Sequence, residues 1–306
     1  MNETQLSQVR SFNRNVTRRI GALGGDYLGR GRPLAESRLL FEIGAGGADV
    51  RELRERLDLD SGYLSRLLRA LEAAGLVACR PSVDDRRARR ATLTRKGLRE
   101  YEVLDRRSQA FARSLLESLL PAQRERLVAA MAEVERCLRA SSVEIGIEDP
   151  CSADATACFD AYFRELATRF DGGFDPAQAG AGAATEYAPP HGVLLVARLD
   201  GRAVGCGALR ACGPGVGEIK RMWVTAQARG LGIAQRLIDA LEQHAVELGF
   251  DRLRLDTNRT LTEARALYAR NGYREVGRYN DNPYADHWFE KRGLNRARAG
   301  RAPARA

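Results

Sequence analysis

Between an extended segment at residues 218–224 and a long helical pattern at residues 233–248 runs Gln227-Ala228-Arg229-Gly230-Leu231-Gly232-Ile233-Ala234. Gly230 and Gly232 put no side chain between the backbone and a ligand, and a helix starting just there offers N–H groups that have no intrahelical acceptor. Such a turn is an anion cradle, suited to phosphate groups. It is not a Walker loop, because no Gly-Lys-Ser/Thr follows. Nor is it G-x-G-x-x-G, because no third glycine stands at the required spacing.

A second constellation follows. Residues 253–258 read as a strand ending in a polar turn at Asn258, and residues 264–273, Ala-Arg-Ala-Leu-Tyr-Ala-Arg-Asn-Gly-Tyr, read as a helix closed by Gly272. The first turn resembles the Q/R-x-x-G-x-G/A signature of the GNAT acyltransferase superfamily. The pattern N-x(5)-A-R-x-L-Y-x-x-x-G-[FY], here Asn258 to Tyr273, is similar to that superfamily's second landmark. The resemblance runs from roughly residue 143 to residue 292.

The resemblance implies an acetyl-CoA-dependent N-acetyltransferase. Arg229, Gly230, Leu231, Gly232, Ile233 and Ala234 would cradle the pyrophosphate, with Ala234 standing where the family frequently has Gly. Met222, Trp223 and Val224 would meet the pantetheine arm, and Asn258 would make a polar contact near it. Tyr268 would serve as the acid toward the departing thiolate. The proton of the attacking amine needs a base, and two candidates stay open. Glu218 stands where the family often keeps a carboxylate, and His287, an imidazole that titrates near neutrality, lies in the last strand.

These groups need a sheet to hold them. Strand alternation puts Glu218, Lys220 and Met222 on one face of residues 218–224 and Ile219, Arg221 and Trp223 on the other. Glu218 could then face the cleft or pair with Lys220 or Arg221. Upstream, residues 143–147 read as a strand, 153–170 as a helix and 177–184 as an Ala/Gly-rich loop. Residues 193–199 and 202–209 flank Asp200-Gly201, a type I′ hairpin signal. Aromatic residues and carboxylates mix in residues 281–288, and Tyr162, Phe163 and Phe174 offer a further wall, as a cationic amine acceptor requires.

The first half carries different chemistry. Of the formal net charge of +9, residues 1–140 hold +8. A short amphipathic helix at residues 49–57, a break at 58–60 and a second helix at 61–74 suggest helix-turn-helix. The outer face of the second helix presents Ser61, Tyr63, Ser65, Arg66 and Arg69, hydroxyls for phosphates and Arg forks for guanine edges. Strand patterns at 76–80 and 90–94 enclose a basic loop with Arg86, Arg87 and Arg89, a wing suited to the minor groove. Asp85 is placed to order Arg87 there. Residues 68–77, 85–87 and 93–97 resemble the L-x(3)-E-x-x-G-L-V, D-R-R and L-T-x-x-G motifs of MarR-family regulators. That resemblance implies double-stranded operator DNA as partner and dimerisation through helices from both chain ends. The long apolar-periodic patterns at 6–29 and 101–140 exceed what a winged-helix core can bury, which also points to a homodimer.

Composition sets the outer limits. With 306 residues, 44% hydrophobic and 29% charged, two globular cores are expected, and no apolar run reaches membrane-span length. The six cysteines and three histidines are dispersed, so no metal site is expected. The polar N-terminus lacks a signal-peptide core, so the expected compartment is cytoplasmic. The expected fold is thus α+β in two domains. Residues 1–141 form a winged helix-turn-helix with dimerisation helices, 142–292 a GNAT-like mixed α/β sheet, and 293–306 a disordered tail. Function reads as a bifunctional DNA-binding regulator and N-acetyltransferase of a small amine or amino-acid-like acceptor. The alternative is a regulator whose GNAT-like domain only senses acetyl-CoA or another ligand.

Overall fold

The computed structural model describes residues 2–81, 89–179 and 184–294 and divides into two compact units, Met1–Ala130 and Met131–Ala306. In the first unit α1 (Glu3–Arg19) and α2 (Leu34–Ile43) precede a two-residue strand, β1 (Ala48–Asp49). Then come α3 (Val50–Leu57), α4 (Ser61–Ala73), β2 (Val77–Pro81), β3 (Arg89–Leu93), α5 (Arg95–Glu117) and α6 (Pro121–Ser141), within which the division falls. The helix pair is built by its caps. The Asp49 carboxylate accepts from the N–H groups of Arg51 and Glu52, Asp58 takes a left-handed φ of 48° to end α3, and Asp60 caps α4 through the N–H of Tyr63. Leu64, Leu67, Leu68 and Leu71, at helical spacing on α4, bury against Leu39, Leu40, Leu53, Leu76 and Leu104. The three strands form a sheet in the order β1-β3-β2, with Cys79 and Ala48 both opposite Ala91.

Two long helical patterns come out shorter than expected. The run at 101–140 breaks at residues 118–120, and Pro121, which has no N–H to give, opens α6 at its first turn. The run at 6–29 stops at Arg19, where Gly21, Gly24 and Gly25 follow. Arg86, Arg87 and Asp85, the residue expected to order Arg87, lie outside the described residues.

The second unit is a seven-stranded sheet in the order β4-β5-β6-β7-β8-β10-β9. Its strands are β4 (Val143–Glu148), β5 (Gly192–Leu199), β6 (Arg202–Ala211), β7 (Val216–Val224), β8 (Arg252–Thr257), β9 (Arg274–Val276) and β10 (His287–Arg292). Helices α7 (Ala153–Arg169), α8 (Ile233–Glu247) and α9 (Thr262–Arg270) cross over between them. Strand β5 is apolar at every position from 193 to 197 because both its faces are covered. Val193, Leu195 and Ala197 share a core with Leu237, Ile238 and Leu241 of α8, while Leu194 and Val196 share one with Ala155 and Cys158 of α7. At the β5–β6 turn Asp200 and Gly201 have φ of 52° and 74°, the two positive values that a type I′ hairpin requires. Strand β9 was not expected, since three residues carry too little alternation to register.

One seam in this sheet decides where a ligand can go. β7 and β8 run parallel but pair only at Val216 with Arg252, Gly217 with Leu253 and Glu218 with Arg254. Beyond Glu218 the two strands are no longer partners, so the edge of β7 facing β8 is left without a ladder from Ile219 onward.

Candidate active site

Two cavities open at this parting of strands. The larger, a cleft of about 560 Å³, is lined by Met222, Trp223 and Val224 of β7, the 228–235 turn, and the faces of α7 and α9 that look onto it. That volume is in the range of cavities that hold drug-sized ligands. The smaller, a chamber of about 90 Å³, lies along residues 219–222 of β7, Asp256 and Thr257 of β8 and Asn258 just after it, closed by aromatic side chains from Tyr162, Phe170, Phe174, Tyr187 and Tyr284. Tyr162, Leu166, Met222, Leu261, Ala264 and Tyr268 line both, so the two cavities share a wall.

The glycine turn stands at the cleft. Gly230 and Gly232 have φ of 83° and 73°, and a Cβ at either would meet no atom within 4 Å, so the space in front of the turn is open. Gly232 is the N-cap of α8 and no side chain caps that helix, which leaves its first N–H groups and its positive dipole end available. These features fit a pyrophosphate: Gly230, Gly232, Ile233 and Ala234 all line the cleft, and Arg270 adds positive charge, while Arg169 beside it is paired with Glu165 and Glu263.

Two residues expected in the cradle are used otherwise. The Arg229 N–H is donated to the carbonyl of Ala226, and its guanidinium forks onto Glu165 at 2.6 Å and onto the Val224 carbonyl at 3.1 Å. Leu231 turns its side chain into the core, where it is 7% exposed. Trp223 lines the cleft but directs its indole N–H to Glu165 at 2.9 Å. Asn258 belongs to the chamber, not the cleft. Its amide donates to the Tyr284 carbonyl at 2.8 Å and its oxygen accepts from both the N–H and the hydroxyl of Thr260, so it ties the 258–260 turn to the loop before β10.

Tyr268 sits on α9 at the junction of the two cavities, 5% exposed, with Tyr273 and Phe289 as ring neighbours. No protein group among the described residues hydrogen-bonds its hydroxyl. Burial, reinforced by the Asp256 carboxylate, raises its pKa well above that of an ordinary phenol, so it keeps its proton and can donate it.

The two candidate bases are elsewhere. Glu218 is 1% exposed and lines neither cavity. It accepts from Arg210 at 2.8 and 2.9 Å, from Lys220 at 3.2 Å, and more loosely from Asn280 at 3.3 Å and Tyr279 at 3.4 Å. His287 lines neither cavity and holds Glu275 through Nδ1 at 2.6 Å. The carboxylate that does line the chamber is Asp256, bound by Lys220 and by the Asn282 amide. Burial alone would lower the pKa of the Lys220 ammonium, but Asp256 and Glu218 outweigh it and hold it above its usual value.

Alternation on β7 fails at one point. Arg221 has a φ of 58°, and Arg221 and Met222 together oppose the single residue Gly207 on β6. All four of Ile219, Lys220, Arg221 and Met222 line the chamber, but past the bulge Arg221 lies with its guanidinium over Phe159 and Phe163, whereas Ile219 and Met222 pack with the core beneath α8. Gly207 makes the bulge possible, since a Cβ there would come within 2.7 Å of the Met222 sulfur and 3.0 Å of Leu241. A left-handed arginine costs on the order of 1–3 kcal/mol, a strain that the surrounding sheet must hold.

Two contributors went unrecognised in the sequence, Asp256 and Glu165. Glu165 has a legible signal: with Tyr162, Leu166 and Arg169 it repeats at helical spacing along α7, and all four line the cleft. The expected aromatic wall is present in part. Phe174 stacks on Phe163 with centroids 5.7 Å apart and lies 4.8 Å from Tyr284, whose hydroxyl accepts from the Asp175 N–H.

On the first unit, Ser61, Tyr63, Ser65, Arg66 and Arg69 are all exposed on one side of α4. The Arg66 guanidinium carbon lies 5.5 Å from the Tyr63 ring centroid, and Arg89 is exposed at the start of β3. No group of potential metal ligands is present among the described residues, and no helix among them is long and apolar enough to cross a membrane.

Comparison with known proteins agrees with the division. Residues 158–273 match the acetyltransferase (GNAT) family and residues 30–88 match the MarR family. An uncharacterized N-acetyltransferase of Schizosaccharomyces pombe is 40% identical over 100 residues, which is 32% of this chain and 61% of that protein. An IAA acetyltransferase of Azospirillum brasilense is 39% identical over 98 residues, 32% of this chain and 63% of that protein. The chain thus spans about three fifths of the length of these relatives. A crystal structure of a GNAT-family acetyltransferase from Staphylococcus aureus is similar over 49% of this chain and 99% of its own, at 19% identity and a TM-score of 0.45. The chain therefore joins a MarR-family region to a GNAT-family acetyltransferase domain.

Proposed function

We propose that residues 142–292 transfer an acetyl group from acetyl-CoA to a small primary amine, and that residues 1–141 bind operator DNA as a winged helix-turn-helix dimer. The observation that carries the first half is the shared wall: a cleft ending in a helix N-terminus and a chamber with a carboxylate meet at a protonated tyrosine.

Acetyl-CoA, bound in the cleft, supplies an acetyl thioester at the junction. The residues do the rest. Amides of Gly230, Gly232, Ile233 and Ala234 hold the pyrophosphate, and the unpaired edge of β7 at Met222–Val224 lies alongside the arm. Asp256, fixed by Lys220 and Asn282, faces the acceptor and takes the proton that the amine loses on attack. As the C–S bond breaks, the Tyr268 hydroxyl donates its proton to the sulfur. Glu218 acts from behind as the partner that keeps Lys220 charged, and His287 takes no part.

A thiol-release assay across a panel of primary amines tests this reading. Acetyl-CoA binding without turnover of any amine would sink it and leave a ligand-sensing domain.

For the first half, α4 supports the reading as the helix presented to the major groove, with β2 and β3 as the wing. Exposed apolar residues along α1 (Leu6, Val9, Phe12, Val16) and on α5 and α6 (Phe111, Val128, Met131, Leu138) favour a homodimer. The compartment proposed with this reading is the cytoplasm. Arg66→Ala is expected to weaken operator binding about tenfold to a hundredfold, the usual loss of one base or phosphate grip, with acetyl transfer unaltered. A mobility-shift titration together with the thiol assay checks it. Unaltered DNA affinity would remove α4 from the interface, and loss of both activities would mean that the halves do not work as separate modules.

A further inference from the structure

The chamber contains one cation, Arg221, that no carboxylate among the described residues neutralises. Its other charges cancel locally: Lys220 is paired with Asp256 and Glu218, and Glu218 is paired again with Arg210. Arg221 is different. Among the described residues its guanidinium has no carboxylate within ion-pair distance and gives no hydrogen bond to any side chain or carbonyl. It is held by rings instead, its central carbon 4.5 Å from the centroid of Phe163, 5.5 Å from Phe159 and 6.0 Å from Tyr187. A guanidinium has five N–H donors in a planar fork and cannot shed its proton, so a half-buried one with only ring faces around it has its edge free for an anion.

The surroundings choose which anion. The chamber is small, about 90 Å³, and its remaining wall is aromatic and amide in character. A single fork matches one planar carboxylate in bidentate fashion. A phosphate dianion would need a second free cation, and the only other cation lining the chamber among the described residues, Lys220, is already shared between two carboxylates. Asp256, although held by Lys220 and the Asn282 amide, lines the same chamber and is its only carboxylate among the described residues. A ligand with an ammonium near Asp256 and a carboxylate on Arg221 would satisfy both.

We propose that the acceptor is an amino acid, with its carboxylate bound by Arg221. This rests on the transfer reading for its chemistry but not for its binding. The left-handed backbone at Arg221 then has a use, since without the bulge the side chain would point to the other face of β7.

The test compares a panel of free amino acids with their carboxamides. Each is titrated by calorimetry into the full-length protein loaded with CoA, and each is also assayed for turnover with acetyl-CoA. At least one amino acid is expected to bind ten times or more tighter than its carboxamide. In Arg221→Gln that ratio should collapse toward one while CoA affinity is retained, and Arg221→Lys, which keeps charge but loses the fork, should fall between. Equal affinity of acid and carboxamide for the wild-type protein would overturn the proposal without recourse to any variant. Absence of binding by every amino acid would do the same, as would a ratio that survives Arg221→Gln. A preserved ratio with no turnover would leave the carboxylate site standing and remove the transfer reading instead.

Discussion

Tyr268→Phe is expected to lower kcat about a hundredfold while the affinity for acetyl-CoA changes by less than about twofold. General acid assistance contributes typically 10²–10⁴ in rate, and the substitution removes one oxygen from a ring whose packing on Tyr273 and Phe289 is otherwise kept. Burial makes the phenol a good donor here: its pKa lies above the ordinary value near 10, so across neutral pH it is protonated, and any alkaline loss of rate due to this group should come only above about pH 10. Steady-state kinetics paired with calorimetry separate the two quantities. An unaltered kcat would exclude Tyr268 as the acid, and a matching loss of cofactor affinity would make it a binding residue only.

The second large effect is on stability. Lys220→Met should destabilise the transferase domain by about 3–5 kcal/mol, the range found when one partner of a buried ion pair is removed. The reason is local. The Glu218 and Asp256 side chains are each 2% exposed, and the Lys220 ammonium, itself only 14% exposed, is the cation between them. Without it Asp256 keeps only the Asn282 amide as a hydrogen-bond donor, and two carboxylates face each other across the seam of β7 and β8. Adding Asp256→Asn to Lys220→Met should recover part of the loss. Urea unfolding followed by tryptophan fluorescence reads this domain, because Trp223 and Trp288 both belong to it. A loss under 1 kcal/mol would show that the three groups are not mutually dependent.

What could be read from the sequence follows from where the information is stored. The α3–α4 pair was legible because Asp49 and Asp60 are side-chain caps and the leucines of α4 keep helical spacing. The glycine turn was legible because only glycine takes φ near 80° without cost, so conformation and residue type coincide at Gly230 and Gly232. The same reasoning could not find the bulge on β7, where the left-handed residue is an arginine and the permissive glycine is Gly207 on the neighbouring strand. Partners were equally hidden. Glu218 was weighed against residues next to it in sequence, whereas its strongest hold is Arg210, on the antiparallel strand directly across. Asp256 looked like one more polar residue at the end of a strand. Only the parting of β7 and β8 makes it the wall of a chamber.

That parting has a mechanical meaning. β4 to β7 are bound to one another by long antiparallel ladders, and β8, β10 and β9 by another set, but the two groups meet through three residue pairs. The sheet is therefore two stiff plates joined by a short hinge at Val216–Glu218, with the ion pair of Lys220 and Asp256 acting as a latch just beyond it. Both cavities open where the ladder of β7 and β8 ends, so the room for cofactor and the room for acceptor are bounded by the same three residue pairs and share one wall.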